Sequence, residues 1–173
     1  MKFSSAPKNM TEAEFLKLFG SIYEHSTWVA EAIWQQGLSD SDDTISHLCG
    51  RMKVIVDDAG HDRQMTLLCA HPELAGKLAI DGGLTADSTS EQSSAGLDKC
   101  SPKEFTAFQE LNTAYGEAFG HPFIIAVRGL ARTDILAAFQ SRIKNDAETE
   151  FATALAEVHK IARLRLEAMA DCT

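Results

Sequence analysis

The stretch that decides the fold class runs from Ser101 to Pro122, SPKEFTAFQELNTAYGEAFGHP. It opens with Ser101-Pro102-Lys103-Glu104, where a serine can cap a helix and a proline suits the first helical position. Apolar side chains then recur every three or four residues, at Phe105, Phe108, Leu111, Tyr115 and Phe119. Gly120 and Pro122 cannot easily continue a helix. The stretch therefore predicts one long amphipathic helix.

The rest of the chain repeats this helical period. We expect one further helix to begin at Thr11. Six others are expected over Trp28 to Gln36, about Ile45 to Gly60, about Asp62 to Ala70, Ser88 to about Gly96, about Thr133 to Lys144 and about Ala147 to Ala170. Asp81-Gly82-Gly83 is expected to be a loop. Phe123 to Val127 is apolar but isolated, and one strand cannot make a sheet, so we expect a buried extended segment or a short helix. We therefore predict an all-α fold, a single compact domain over residues 1–173 with about seven to eight helices and a buried extended segment near 121–129.

Charge and cysteine content argue against several kinds of partner and compartment. The 173 residues carry a formal net charge of -9, which disfavours nucleic acid and anionic membrane surfaces. No apolar run is long enough to span a bilayer, and no signal peptide is visible at the N-terminus. The four cysteines, Cys49, Cys69, Cys100 and Cys172, form no C-x-x-C pair. Free thiols in the cytoplasm are the expectation.

His71 is a candidate acid or base. It precedes Pro72, which disfavours helical geometry at the preceding residue, so His71 is expected at or just past a helix end. Histidine titrates near neutral pH and so suits proton transfer. The alternative is a histidine that only caps the helix C-terminus, where the helix dipole favours a cation.

Glu91 lies in the stretch Ser88-Thr89-Ser90-Glu91-Gln92. The spacing of Ser88 and Glu91 matches a capping box, which predicts that Glu91 stands in the first turn of a helix. In that interpretation Glu91 contacts only a backbone amide, and Gln92 beside it is a solvated helix residue. The alternative is a carboxylate that takes part in catalysis.

The backbone of Phe123 to Val127 is a second candidate binding element. An extended segment outside a sheet leaves N–H and C=O groups that need partners, and a flat amide-rich ligand can supply them. The alternative is an ordinary piece of core. Arg128, which follows, is expected to form a surface salt bridge.

Arg165 stands out among the basic residues of the last predicted helix. Its helical phase places it within the apolar stripe of Phe151, Leu155, Val158, Ala162 and Met169, whereas Arg163 falls outside. A buried arginine needs an anionic partner, either an internal carboxylate or a ligand. Asn112 falls inside the stripe of the 101–122 helix and is expected to satisfy buried backbone.

Motifs for other chemistries are missing from the sequence. None of the six histidines forms H-x-x-x-H or H-E-x-x-H, so we predict no metal site. The chain also has no G-x-S-x-G elbow, phosphate-binding glycine loop or dinucleotide fingerprint. The sequence therefore gives no support for metal, phosphate or dinucleotide chemistry.

Taken in order, several motifs resemble the 2-oxo-4-hydroxy-4-carboxy-5-ureidoimidazoline (OHCU) decarboxylases of urate breakdown. The resemblance covers Tyr23 to Trp34, His71-Pro72-Glu73-Leu74, Leu84 to Asp98, Phe108 to Gly129 and Ile161 to Arg165. It implies an all-helical homodimer that uses no cofactor. The implied reaction is loss of CO2 from OHCU to give (S)-allantoin.

The resemblance also implies which residues form the site. It assigns the catalytic histidine to His71 and substrate contacts to Pro72, to Ser88, Thr89, Ser90, Glu91 and Gln92, and to the backbone of Phe123, Ile124, Ile125, Ala126 and Val127. Glu91 is expected to assist His71, and Arg165 is placed in the catalytic set because of its inward phase. Two rival interpretations remain open. One is a helical module that binds a purine-like ligand without turnover, and the other is a helical protein whose acidic face binds a basic partner.

Overall fold

The computed structural model describes residues 1–76 and 84–170. Eight α-helices lie within these residues: α1 (Glu12–Phe19), α2 (Trp28–Gln36), α3 (Ile45–Asp57), α4 (His61–Cys69), α5 (Ala86–Ser94), α6 (Pro102–Phe119), α7 (Arg132–Arg142) and α8 (Ala147–Ala170). Within the described ranges the sole β-type pairing is an isolated bridge between Lys2 and Thr44. The predicted all-α fold is therefore confirmed. The loop expected at residues 81–83 and the thiol of Cys172 lie outside the described residues.

Most helix ends follow the local signals of the sequence. Thr11 caps α1 in a capping box with Glu14, and Ser101 caps α6 in the same way with Glu104. Helix α2 spans the predicted residues and stops at Gly37, whose φ of 83° lies in the left-handed region open to glycine. None of the described helices is long and apolar enough to cross a membrane.

By contacts the chain divides into two compact units. The first unit comprises Met1–Ala70 with residues 159–170, and the second comprises the described part of His71–Val158. The core of the first unit is formed by side chains of α1 to α4, among them Phe15, Ile33, Leu48 and Leu68, all fully buried. Such burial of apolar area is the main stabilising term in folding.

The core of the second unit is largely aromatic. The rings of Phe123 and Phe139 stack with centroids 3.9 Å apart, and Tyr115 meets Phe123 edge-on at 5.2 Å. Leu74 and Ala75, which follow His71 closely, belong to the same buried cluster. This core therefore holds the chain after His71 and the start of the 123–127 segment in one packed unit.

Candidate active site

His71 follows α4 with one residue between them, as the sequence predicted. Ala70 forms the C-cap of α4, and His71 begins the second unit. The side chain is buried, with 9% of the residue exposed. A titratable ring at a helix end, largely shielded from water, is a suitable arrangement for directed proton transfer.

Helix α5 begins earlier than the sequence predicted, and the expected capping box is wrong. Thr85 is the N-cap, and its hydroxyl accepts the Ser88 N–H at 3.2 Å. Asp87 is the acidic residue of the first turn. Glu91 therefore lies in the second turn of α5, beyond reach of the N-cap amide. The local reason is that Thr85 offers the same capping chemistry as Ser88 three residues upstream.

The shifted start decides which of the predicted residues of α5 face inward. Ser88 and Gln92 are buried, Glu91 is half-buried, and Thr89 and Ser90 are exposed. Ser88, Glu91 and Gln92 have the three-four spacing that places side chains on one helix face. Glu91 is thus on the inward-facing side of α5 next to Gln92.

Gln92 links α5 to the chain that follows His71. Its Oε1 accepts the N–H of Ala75 at 3.1 Å, and its Nε2 donates to the C=O of Glu73 at 3.3 Å. The alternative of a solvated glutamine is therefore wrong, since Gln92 is only 6% exposed. The structure joins the neighbourhood of His71 to the helix that carries Glu91.

The 123–127 segment is extended and mostly buried, which confirms that prediction. One edge of its backbone is already bonded: Arg142 donates to the C=O of Ile124 at 2.8 Å, and the N–H of Ala126 donates to Glu157 at 2.7 Å. Successive residues of an extended chain point their amides to opposite edges. The opposite edge presents the N–H and C=O of Ile125, neither of which has a hydrogen-bond partner within residues 1–76 and 84–170.

A buried charge cluster that the sequence interpretation missed supports this segment. Glu150 is fully buried and accepts hydrogen bonds from Arg142 Nε at 2.9 Å, from Asn145 at 2.7 Å and from the Tyr115 hydroxyl. The cluster raises the pKa of Tyr115, first through burial and then through Glu150. The available signal was the spacing of Glu150, Ala154 and Val158, which share one buried line of α8.

Arg165 is buried, as predicted, and its structural partner is a carboxylate of the chain. Arg165 NH1 lies 2.7 Å from Glu24 Oε2, and their side chains are 6% and 1% exposed. Arg165 NH1 also donates to the C=O of Ser21 at 3.3 Å. Arg165 belongs to the first unit, whereas the other predicted site residues belong to the second. Glu24 was missed because nothing in the local pattern around Tyr23 marks it as buried.

Two cavities of the first unit contain none of the predicted site residues. One, of about 380 Å³, is lined by Trp28 and Arg63 among others, and the guanidinium of Arg63 lies 4.0 Å from the centre of the Trp28 ring. The other, of about 450 Å³, runs along Gly50 and Val54 of α3. The first lining carries Glu31, Asp58 and Arg63, and the second carries His47 and Arg51.

Comparison with known proteins gives a consistent result over almost the whole chain. The sequence model of the OHCU decarboxylase family matches residues 8–167. An OHCU decarboxylase of Haloferax volcanii is 41% identical over 157 residues, which cover 91% of this chain and 89% of the relative. One from Mus musculus is 36% identical over 91% of this chain and 87% of its own length.

Longer relatives and solved structures agree. The uric acid degradation bifunctional protein PucL of Bacillus subtilis is 40% identical over 85% of this chain, which spans 28% of that protein. A crystal structure of (S)-allantoin synthase superposes with a TM-score of 0.76 at 36% identity, covering 95% of this chain and 53% of that one. A crystal structure of OHCU decarboxylase, at 22% identity and a TM-score of 0.70, shares the fold.

Proposed function

This chain belongs to the OHCU decarboxylase family, and from that premise we propose that His71 and Glu91 handle the protons of its reaction. The protein is a carboxy-lyase of urate degradation that converts OHCU to (S)-allantoin. The family match over residues 8–167 is the observation that carries this conclusion. The roles of individual residues are proposed from the contacts described above.

The chemistry requires one bond to break and one proton to be delivered. When the bond to CO2 breaks, its electron pair stays on the ring carbon and is delocalised into the ring. The protein must hold the carboxylate out of the ring plane and protonate one face of the resulting anion. Positioned acid–base catalysis of this kind contributes on the order of 10²–10⁴-fold to the rate.

His71 is the proposed proton donor, or the base for the substrate hydroxyl if the steps occur in the reverse order. Two observations support this role. His71 is buried just past the end of α4, and the chain that follows it is hydrogen-bonded to Gln92 of α5. A fixed imidazole can deliver a proton to one face only, which gives one enantiomer. The spontaneous reaction lacks this facial control.

Glu91 is proposed to orient and tune His71, or to bind the ring and ureido N–H groups of the substrate. Its position in the second turn of α5 supports this role, because a carboxylate there is not bound to the helix N-cap. Glu91 also adjoins Gln92 in sequence, and Gln92 contacts the turn after His71. The carboxylate therefore has a catalytic role available that a capping glutamate lacks.

The substrate's amide edges are proposed to bind the open backbone edge at Ile125. That edge offers one donor and one acceptor side by side, which matches the N–H and C=O groups of a ureidoimidazoline. The other predicted substrate contacts remain predictions: Pro72, Ser88, Thr89, Ser90, Gln92, Phe123, Ile124, Ala126 and Val127. Arg165 also remains a proposed member of the catalytic set, with Glu24 as its partner within the chain.

We further propose that the protein needs no cofactor and is a cytoplasmic homodimer. The family resemblance supports both the cofactor-free reaction and the homodimer. The free thiols of Cys49, Cys69 and Cys100 fit a reducing compartment. Light scattering would give the oligomeric state, and cell fractionation the compartment.

The function is tested by generating OHCU in situ from urate and following the optical activity of the allantoin formed. The expected result is a single enantiomer formed faster than the spontaneous reaction, at the same rate with and without a metal chelator. Racemic allantoin formed at the uncatalysed rate in the presence of folded protein would contradict the activity. Loss of activity with chelator alone would contradict only the proposal that no metal is needed.

A further inference from the structure

We propose that the side-chain amides of Gln92, Gln109 and Asn112 form a clamp that positions His71 for proton transfer. We call these three groups the amide clamp. The proposal rests on the proposed role of His71 and adds residues that act through it. Gln109 and Asn112 are therefore positioning residues, which hold the chain beside the proton-transfer group without touching the reacting atoms.

The amide clamp bonds to three consecutive residues just after His71-Pro72. Gln92 donates to the C=O of Glu73 at 3.3 Å and accepts the N–H of Ala75 at 3.1 Å. Asn112 and Gln109, both on α6, donate at 3.0 Å to the C=O of Leu74 and of Ala75, respectively. Every carbonyl of residues 73–75 thus receives one side-chain amide N–H, from two different helices.

The clamped turn has an unfavourable backbone conformation. Ala75 has a φ of 50°, in the left-handed region that residues with a Cβ atom seldom adopt. The next residue is crowded as well, because a Cβ atom at Gly76 would lie 2.9 Å from the Cβ atom of Glu73. Such a conformation persists only where surrounding contacts determine it, and these often lie at functional sites.

In Asn112 only the N–H side of the side-chain amide is hydrogen-bonded within the described part of the chain. The residue is 5% exposed, and its buried Oδ1 accepts no hydrogen bond from the described residues. A buried acceptor without a partner lowers stability. A leucine at position 112 would remove the unpaired Oδ1, but it would also leave the buried Leu74 carbonyl without its donor. The asparagine is therefore explained by its bond to the Leu74 carbonyl.

The amide clamp also connects the two proposed proton-transfer groups. Gln92 follows Glu91 in α5, so its two bonds to residues 73 and 75 tie the helix bearing Glu91 to the turn next to His71. A displacement of about 1 Å at reacting groups can lower a rate by about 100-fold. The clamp therefore fixes a distance on which the rate depends steeply.

The test replaces one clamp residue and one matched residue elsewhere. Gln109→Met keeps the side-chain length and removes the donor to Ala75, and Gln109 is half-buried, so the variant should fold. The control is Gln64→Met, because Gln64 is also half-buried and donates at 2.9 Å to the backbone carbonyls of Val56 and Asp57. Gln109→Lys retains a donor and serves as the rescue variant.

We expect Gln109→Met to lower kcat by about tenfold or more with little change in KM, as a mispositioned acid would. Gln64→Met should leave both constants unchanged, and Gln109→Lys should restore most of kcat. Asn112→Leu, if it folds, should resemble Gln109→Met. The proposal is overturned if folded Gln109→Met has the wild-type kcat, or if Gln64→Met loses as much.

A second readout separates failure of the clamp from failure of the proposed function. The imidazole NMR signals of His71 can be identified by their loss in His71→Gln. We expect these signals to shift and broaden in Gln109→Met but not in Gln64→Met. If the wild type does not accelerate decarboxylation, the proposed function fails, and unchanged His71 signals in Gln109→Met would still overturn the clamp.

Discussion

Two tetrapeptides of the second unit, Ser88–Glu91 and Ser101–Glu104, have the same S-x-x-E pattern but different places in their helices. In α6, Ser101 is the N-cap: its hydroxyl accepts the Glu104 N–H at 3.3 Å, and Glu104 accepts the Ser101 N–H at 2.8 Å. In α5, Thr85 is the N-cap, so Ser88 and Glu91 lie within the helix. The same pattern therefore forms a complete capping box in α6 and lies inside the helix in α5.

The two glutamates therefore differ in their structural roles. Glu104 is bound to its helix start and also lies 3.2 Å from Arg132, so its role is structural. Glu91 lies one turn further along its helix, on the face that carries the buried Ser88 and Gln92. We therefore expect changes at the two glutamates to separate activity from stability.

The largest expected effect is at Glu91. Glu91→Gln should lower kcat by roughly 10²–10⁴-fold, because the variant loses the charge that supports proton transfer. The thermal midpoint should change little, since glutamine keeps the size of the side chain and one of its oxygens. Turnover of enzymatically generated OHCU and a thermal scan measure both. The matched control is Glu104→Gln, which should keep turnover. Equal turnover in the two variants would break the comparison.

The next largest effect is expected at the buried ion pair of Arg165 and Glu24, compared with the partly exposed pair of Glu104 and Arg132. Arg165→Met leaves Glu24 buried without its cation, which should lower the free energy of unfolding by roughly 3–5 kcal/mol. Glu104→Gln removes a pair with 26% and 32% exposed side chains, so its loss of stability should be much smaller. Denaturant unfolding of both variants measures the difference.

Substrate-analogue binding to Arg165→Met then decides its proposed role. Weaker binding beyond the loss of folded protein would support Arg165 as a substrate contact. A large stability loss with unchanged affinity would remove Arg165 from the catalytic set and leave the Glu24 pair as its whole function.

The caps give a smaller effect. Thr85→Ala and Ser101→Ala should each lower the free energy of unfolding by about 1 kcal/mol, because each removes the acceptor for an amide of the first turn. Ser88→Ala should not lose a cap, since Ser88 is the third residue of α5. Urea unfolding measures these losses. If Ser88→Ala lost as much free energy of unfolding as a cap provides and Thr85→Ala lost none, Ser88 would be the N-cap of α5, as the sequence predicted.

The smallest effect is the pH dependence of the α6 capping box. Hydrogen bonds from Ser101, and then from Arg132, hold the pKa of Glu104 below its ordinary value of 4.5. A lowered pKa in the folded state stabilises the protein above pH 4.5, and this contribution is lost as the pH falls through the folded value. The thermal midpoint of Glu104→Gln should therefore lie below that of the wild type at neutral pH and converge with it in acid. A constant gap would contradict this.

The sequence correctly predicted the features that depend on a few neighbouring residues. These are the bounds of α2, the Ser101 cap, the position of His71 after α4 and the burial of Asn112. The start of α5 was misplaced because two capping residues, Thr85 and Ser88, compete within one turn. Local patterns alone do not identify partners distant in sequence. Glu24 was missed because its partner, Arg165, lies near the other end of the chain. Glu150 was missed although its spacing with Ala154 and Val158 marks one buried line of α8.

The central claim is that His71 delivers the proton that sets both the rate and the handedness of the product. The most direct measurement follows the circular dichroism of allantoin formed from urate-generated OHCU with wild type and with His71→Ala. We expect one enantiomer from the wild type, and racemic product at the spontaneous rate from folded His71→Ala. Optically active allantoin formed by His71→Ala at nearly the wild-type rate would contradict it.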